Sequence, residues 1–372
     1  MVKIKTEIKF SIITVCYNAE KVIKETIESV LNQEWENFEY IIVDGASTDK
    51  TNAFISEYVG KDHRIQWYSA SDDGIFNAMN KGISYAKGDF LFFLNAGDVF
   101  HSKDVLVKVA EVAQEADIVI GDVAFKSEFG LREYSCLVGE ELRNNLANGK
   151  CICHQVVFSS RKCLENGFDE QFSTCADYDW ICRQVNMKKR IVKVDTIVAD
   201  YDMSGVTHQV RYQKAHWKEY FQVIEKHFPQ SKNKYTDEFK NLFIQERKER
   251  YQYKFMNQWL SLKQDGIDIS SFFVSQGIHS LAIYGFHYMG QRLYDELKES
   301  HVKVLYAIDK NERDLRQQNV GLPIVHPNDM LREVDAIVIT PIFDFLEVKE
   351  ELLKKLNCAM FSIEDILYHE YK

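Results

Sequence analysis

Asp98 closes the stretch Ser71 to Asp98, which reads SDDGIFNAMNKGISYAKGDFLFFLNAGD. A helix, a glycine turn and the strand DFLFFLN run straight into this carboxylate. The strand is too apolar to be anything but a buried central one. A carboxylate at the carboxyl end of such a strand stands where open α/β sheets bind ligands. Two earlier strand ends carry polar groups in the same position. FSIITVCYN delivers Thr14, Val15, Cys16, Tyr17 and Asn18 to the start of a helix, whose N-terminus favours anionic ligands. Tyr17 is placed either to lie against a nucleobase or to pack beneath that helix. FEYIIVDGASTD ends in Asp44, followed by a glycine and small residues that permit a tight turn. Asp44 there either accepts from a base N–H or ribose hydroxyl over a cleft or simply forms the turn. Polar residues at the ends of apolar strands on one sheet edge make a nucleotide cleft the first expectation.

These residues need a sheet to position them. Strand signals fall at Phe10–Cys16, Tyr40–Val43, Ile65–Tyr68, Phe90–Leu94 and Ile118–Ile120. Between them run helices with apolar spacing, the first with a stripe of Ile23, Ile27, Val30 and Leu31. Asn18 is a candidate cap for that helix and Asp49 for the next. Strands alternating with helices imply a mostly parallel, doubly wound sheet, assigned here to residues 1–208. Residues 209–275 change to helical spacing with many aromatics and charges, as in HWKEYFQVIEKHF. They read as a helical linker, or as a surface that touches membrane or a lipid-linked acceptor. Residues 276–372 start a fresh, smaller Rossmann-like α/β pattern with SLAIYG, VKVLYAIDK and DAIVITP as strands. Its turn, Tyr284 to Gly290, resembles the dinucleotide fingerprint, with Asp309 placed for a ribose. His287 stands where the middle glycine belongs, and its side chain would obstruct a pyrophosphate, so NAD is not expected.

Composition bounds the rest. A chain of 372 residues exceeds one typical domain. Its 45% hydrophobic content supports true cores, and four prolines without low-complexity tracts argue against long disorder. The formal charge of −10 disfavours a general nucleic-acid binder. No segment reaches the roughly eighteen uninterrupted apolar residues of a transmembrane helix, and MVKIKTEIKF lacks the apolar core of a signal peptide. Eight cysteines without a regular framework suit reduced thiols in a cytosol. A zinc site from Cys151, Cys153, His154 and Cys163 has poor spacing, and buried structural thiols are the better account.

FSIITVCYN, IIVDGASTD, DDGIFNAMNKG, FLNAGD and FDEQFSTCADYDW, in this order and spacing, resemble a family 2 glycosyltransferase with a GT-A fold. The resemblance implies a nucleotide-sugar donor, a divalent metal (Mg²⁺ or Mn²⁺) and inversion at the anomeric carbon. Carried over position by position, it puts Tyr17 and Asp44 at the nucleoside, and counts Thr14, Asn18, Asp73, Asn80, Lys81 and Asn95 among the other donor-binding residues. Asp98 becomes the metal ligand, with His208 a further metal or phosphate contact. Asp177, in Ala176-Asp177-Tyr178-Asp179, becomes the catalytic base, while Asp179 suits the first turn of its helix. His154 and Gln155 fall on the acceptor side. Two departures remove charge from the diphosphate region. The acidic motif reads Asn95-Ala96-Gly97-Asp98, and Met79 replaces a common arginine. The implied reaction moves a sugar, by default from a UDP-sugar, to a saccharide or lipid-linked saccharide in surface polysaccharide or glycoconjugate assembly. It would take place in the cytoplasm or peripherally at the inner membrane face. The rival readings are an NAD-dependent oxidoreductase or epimerase working through the C-terminal unit, and a non-catalytic scaffold.

Overall fold

The computed structural model describes residues 8–127, 130–202, 210–317, 321–369 and 371. Contacts divide the chain into two compact units, Met1–Gly205 with Ala215–Tyr235, and Val206–Lys214 with Thr236–Lys372. The segment expected to link two α/β units is helical, and its residues are shared between these units.

In the first unit the strands are β1 (Phe10–Cys16), β2 (Phe38–Asp44), β3 (Ile65–Ser69), β4 (Phe90–Phe93), β5 (Val99–Phe100), β6 (Ile118–Ser127), β7 (Gly130–Tyr134), β8 (Val157–Ser160) and β9 (Ile191–Asp202). The helices are α1 (Ile23–Leu31), α2 (Thr51–Val59), α3 (Ile75–Tyr85), α4 (Val105–Ala113), α5 (Gly139–Ala147), α6 (Ala176–Asn186) and α7 (Val210–His227), the last divided between the units. Every residue of β1, β2 and β4 is buried, as their unbroken apolar runs require. The sheet order is β3-β2-β1-β4-β8-β6-β9-β5, with β7 added to β6. β3, β2, β1 and β4 are parallel. Beyond β4 directions mix, because β8 returns antiparallel between β4 and β6. The α/β class and doubly wound first half are those expected.

Chain order reverses between β1 and β4, so a crevice opens at their carboxyl ends. The β1–β2 register pairs Cys16 with Asp44 and so brings both strand ends to the same edge. On α1 the buried stripe is Ile23, Thr26, Ile27 and Val30, so Thr26 stands in place of Leu31. Asn18 does not cap this helix. Its Oδ1 accepts from the Thr48 amide at 2.9 Å and joins the loops after β1 and β2. Nor is Asp49 the N-cap of α2, a position that Lys50 occupies without a side-chain cap; Asp49 lies one residue earlier and accepts from the Thr51 amide at 2.9 Å.

The second unit carries α8 (Asp237–Gln264), α9 (Ser270–Ser275), β10 (Ser280–Tyr284), α10 (Tyr288–Leu297), β11 (Lys303–Ile308), α11 (Glu312–Gln317), β12 (Ile324–Val325), β13 (Ala336–Ile339), α12 (Phe345–Leu353), β14 (Ala359–Ser362) and α13 (Ile363–Leu367). Its sheet is all parallel in the order β12-β11-β10-β13-β14. One core holds Phe255, Trp259, Phe273 and Leu293, and another holds Tyr306, Ile337 and Phe345. Asp309 is turned inward at the end of β11. Its Oδ2 accepts the Phe286 amide at 2.7 Å and its Oδ1 the Asn311 amide at 2.8 Å. His287 projects from the same loop with 64% of its side chain exposed. The acid expected for a ribose is thus spent on the loop's own amide.

Candidate active site

The turn Asn95–Asp98 follows β4 and is held by α1. Thr26 Oγ accepts the Gly97 amide at 3.0 Å and donates to the Asp98 carbonyl at 2.9 Å. The Asp98 side chain is 4% exposed. Its Oδ2 accepts from Gln155 Nε2 and its Oδ1 from the Asp202 amide, both at 2.9 Å. Burial pushes its carboxyl up to about 6, against the pull of these two hydrogen bonds. The Asp202 carboxylate lies beside Gly97, 3.3 Å from where a Cβ would stand. Nothing in the sequence marks Asp202 as a neighbour of Asp98, since 104 positions separate them.

His154 and Gln155 sit together in a 3₁₀ turn, His154–Val156, ahead of β8. Gln155 reaches Asp98, while His154 reaches the other acid, with Nδ1 3.0 Å from Asp177 Oδ2. His154 Nε2 is 2.9 Å from Asn95 Nδ2. Five residues singled out from sequence therefore form one network, Asp98–Gln155 and Asn95–His154–Asp177, joined by a single peptide bond. Asp177 opens α6. Its own N-cap, Cys175, makes no side-chain capping bond. Glu219 of α7 fastens the loop that enters α6, accepting from Ser173, Thr174 and Cys175 amides at 2.9, 2.8 and 3.1 Å. This anchoring residue was not legible from local sequence. A small apolar cavity lined by Leu91, Phe93, Phe168 and Trp180 adjoins His154 and Asp177.

Other expected donor residues take different places. Thr14 is fully buried, donating to the Leu94 carbonyl at 2.6 Å and bonded to Tyr40 at 2.9 Å. It ties β1 to its neighbours and offers no surface to a nucleoside. Asp44 is also fully buried. Its oxygens accept from both the amide and hydroxyl of Ser47 and from Ser69 Oγ at 2.6 Å, so the turn-forming account holds. Tyr17 is 64% exposed and does not pack beneath α1. The acid beside it is Asp72, and its carboxylate and the Tyr17 ring both border the place a Cβ would take at Gly45. Asp73 is exposed, and its amide meets Asn77 at 3.4 Å. Asn80 of α3 braces the segment between β8 and α6, bonding Phe168 through both amide and carbonyl and Glu170 at 2.7 Å. Lys81 donates to the Ser71 carbonyl at 2.9 Å. Met79 is fully buried and so does not occupy an arginine's place at a charged surface. His208 lies outside the described residues.

Residues 11–161 match the family model described as glycosyl transferase family 2. Within the first unit, residues 11–161 are a glycosyl transferase family 2 segment. An uncharacterized glycosyltransferase of Mycobacterium tuberculosis H37Rv is 29% identical over 201 residues, 53% of this chain and 76% of the relative. A PGL/p-HBAD biosynthesis glycosyltransferase of Mycobacterium bovis BCG is 29% identical over 206 residues, 53% and 77% of the two chains. The crystal structure of S. aureus TarS 1-349 aligns with a TM-score of 0.46 and 18% identity, covering 59% of this chain and 65% of that one. The match thus spans a little under two thirds of that chain.

The donor atoms in this domain suit a hard cation. Each Asp98 oxygen accepts one hydrogen bond and keeps a further lone pair. Asn95 Oδ1 is buried without a hydrogen-bond partner among the described residues. Oxygen donors of this kind fit Mg²⁺ or Mn²⁺ when phosphate oxygens and water complete the shell. Among the described residues no three His, Cys, Asp or Glu side chains converge in a metal cluster, and this includes the cysteines considered for zinc. Burial pushes the thiols of Cys153, Cys175 and Cys182 upward, which keeps them protonated. No helix of the described residues is long and apolar enough to cross a membrane.

Proposed function

We propose that this glycosyltransferase moves a sugar from a nucleoside diphosphate donor to an acceptor hydroxyl with inversion. The observation that carries the reading is the link from Asp98 to Asp177 through the adjacent residues Gln155 and His154. In this reading Asp177 takes the hydroxyl proton as the acceptor oxygen attacks the anomeric carbon. The bond from that carbon to the phosphate oxygen breaks on the opposite face, and its electron pair leaves with the nucleoside diphosphate. Asp98 and Asn95 would hold a divalent cation at the diphosphate. Such a cation neutralises the charge that accumulates on the leaving group. Tyr17, with Asp72 beside it, is the surface offered to the nucleobase. Uridine is the default base from the family resemblance. A saccharide or lipid-linked saccharide acceptor, met at the inner membrane face, completes the proposal. Similarity to a PGL/p-HBAD biosynthesis glycosyltransferase supports a role in glycoconjugate assembly.

A thermal-shift screen of UDP-, GDP- and dTDP-sugars with and without Mn²⁺ tests this. A bound donor at 100 times its Kd stabilises the native state by about 2.7 kcal/mol. One base class should raise the melting point, and more so with Mn²⁺. Asp98→Ala and Asp177→Asn should each lower release of nucleoside diphosphate by roughly 10²- to 10⁴-fold. Intact turnover in both variants would reject the residue roles, and no response to any donor would reject the reading.

A further inference from the structure

We infer that His154 is the positioning residue of the base, holding the Asp177 carboxylate in one orientation from a turn anchored at Asp98. This rests on the proposed role of Asp177 and adds to it. An aspartate in the first turn of a helix is drawn toward that helix's own amides. Asp177 shows this, for its Oδ1 accepts the Tyr178 amide at 2.8 Å. With that bond alone the carboxylate can swing about one oxygen. The His154 contact to Oδ2 removes the remaining rotation.

The contacts of the ring choose its tautomer. A proton on Nδ1 donates to Asp177 and leaves Nε2 to accept from the Asn95 amide. The reverse tautomer would set a lone pair against a carboxylate and an N–H against an amide N–H. With Nε2 already accepting, His154 is occupied as an orienting group and does not compete for the acceptor's proton. Asp177 Oδ2 keeps a lone pair for that proton, since an ionised carboxylate has about four acceptor sites. The ring is itself held. Its side chain is 17% exposed, and Gln155 beside it is 4% exposed and fastened to Asp98. The dipeptide is therefore a spacer of fixed length between the base and the turn on the diphosphate side. Preorganisation of this kind acts on the reaction rate more than on ground-state binding.

The test uses the full chain, with UDP-N-acetylglucosamine and UDP-glucose as donors, water as acceptor, and calorimetric Kd for UDP. His154→Ala should lower kcat for UDP release by roughly 10- to 100-fold, the scale of one hydrogen bond to a charged group. The Kd for UDP should stay within about threefold. His154→Asn puts an amide N–H near the place of Nδ1 and should recover most of the rate. His154→Gln puts it near Nε2 and should not. Wild-type rates in His154→Ala, alongside a slow Asp177→Asn, would overturn this inference and leave the glycosyltransferase reading standing. Equal losses in the Asn, Gln and Ala variants would overturn it too. An Asp177→Asn variant as fast as wild type would overturn both.

Discussion

Gly97 has φ of +104°, a backbone region that side chains rarely adopt. The turn therefore leaves no comfortable place for a second carboxylate at this position, and the nearby Asp202 would repel one. The reading NAGD follows from the shape of the turn, which holds its single acid by the Thr26, Gln155 and Asp202 contacts. Gly97→Ala should cost about 1–2 kcal/mol in urea unfolding, from the φ penalty. It should also weaken donor binding, since the turn would relax away from Asp98. Unchanged stability would show that the turn tolerates a side chain.

At the scale of elements, α6 is held at two points by α7. Glu219 takes the amides at its start. One turn in, Asp179 accepts from His227 Nε2 and pairs with Lys226, each at 2.8 Å. Burial works to raise the Asp179 carboxyl, but the hydrogen bonds from His227 and Lys226 prevail and hold it below its ordinary value of 3.8. A carboxyl lowered by folding contributes stability that is full above its unfolded value and is lost as pH falls through the folded one. Asp179→Asn should therefore cost roughly 2–4 kcal/mol near pH 7, as a buried group loses its charged partner. Below pH 3.8 the gap from wild type should narrow, closing only once pH has fallen through the lower, folded value. Denaturant unfolding followed from pH 7 down through that range checks this, and a cost that does not change with pH would show that the charge is not what matters. Because α6 carries Asp177, the same clamp bears on the orientation of the proposed base.

At the scale of the whole molecule, the chain builds two α/β units with separate sheets. In the second, a Cβ at Gly290 would collide with the Gly285 carbonyl oxygen. The obstacle is a backbone atom and cannot be relieved by a side-chain rotation, so α10 lies against the β10 turn only with glycine there. Gly290→Ala should lower hydrogen-exchange protection in β10, β11 and β13, equivalent to a loss of about 2 kcal/mol or more in local stability. Full protection would mean that the helix shifts without penalty. The same unit shows why a fingerprint is weak by itself. Its spacing allows a dinucleotide loop, but Asp309 has turned onto that loop's amide.

The apolar runs of β1, β2 and β4 determined the central sheet by themselves, because an unbroken hydrophobic strand must be buried on both faces. Five motif blocks in order likewise marked the family resemblance and singled out Asp98 and Asp177. Local sequence did not decide which polar strand ends stay open to a ligand. Thr14 and Asp44 are of the right type at the right edge, yet neighbouring strands and turns consume their hydrogen bonds. Nor did it reveal Thr26, Glu219 or Asp202, whose roles depend on partners 44 to 104 positions away. A hydrogen bond is satisfied by whatever group the fold brings within reach, and that distance is set only when the chain has packed.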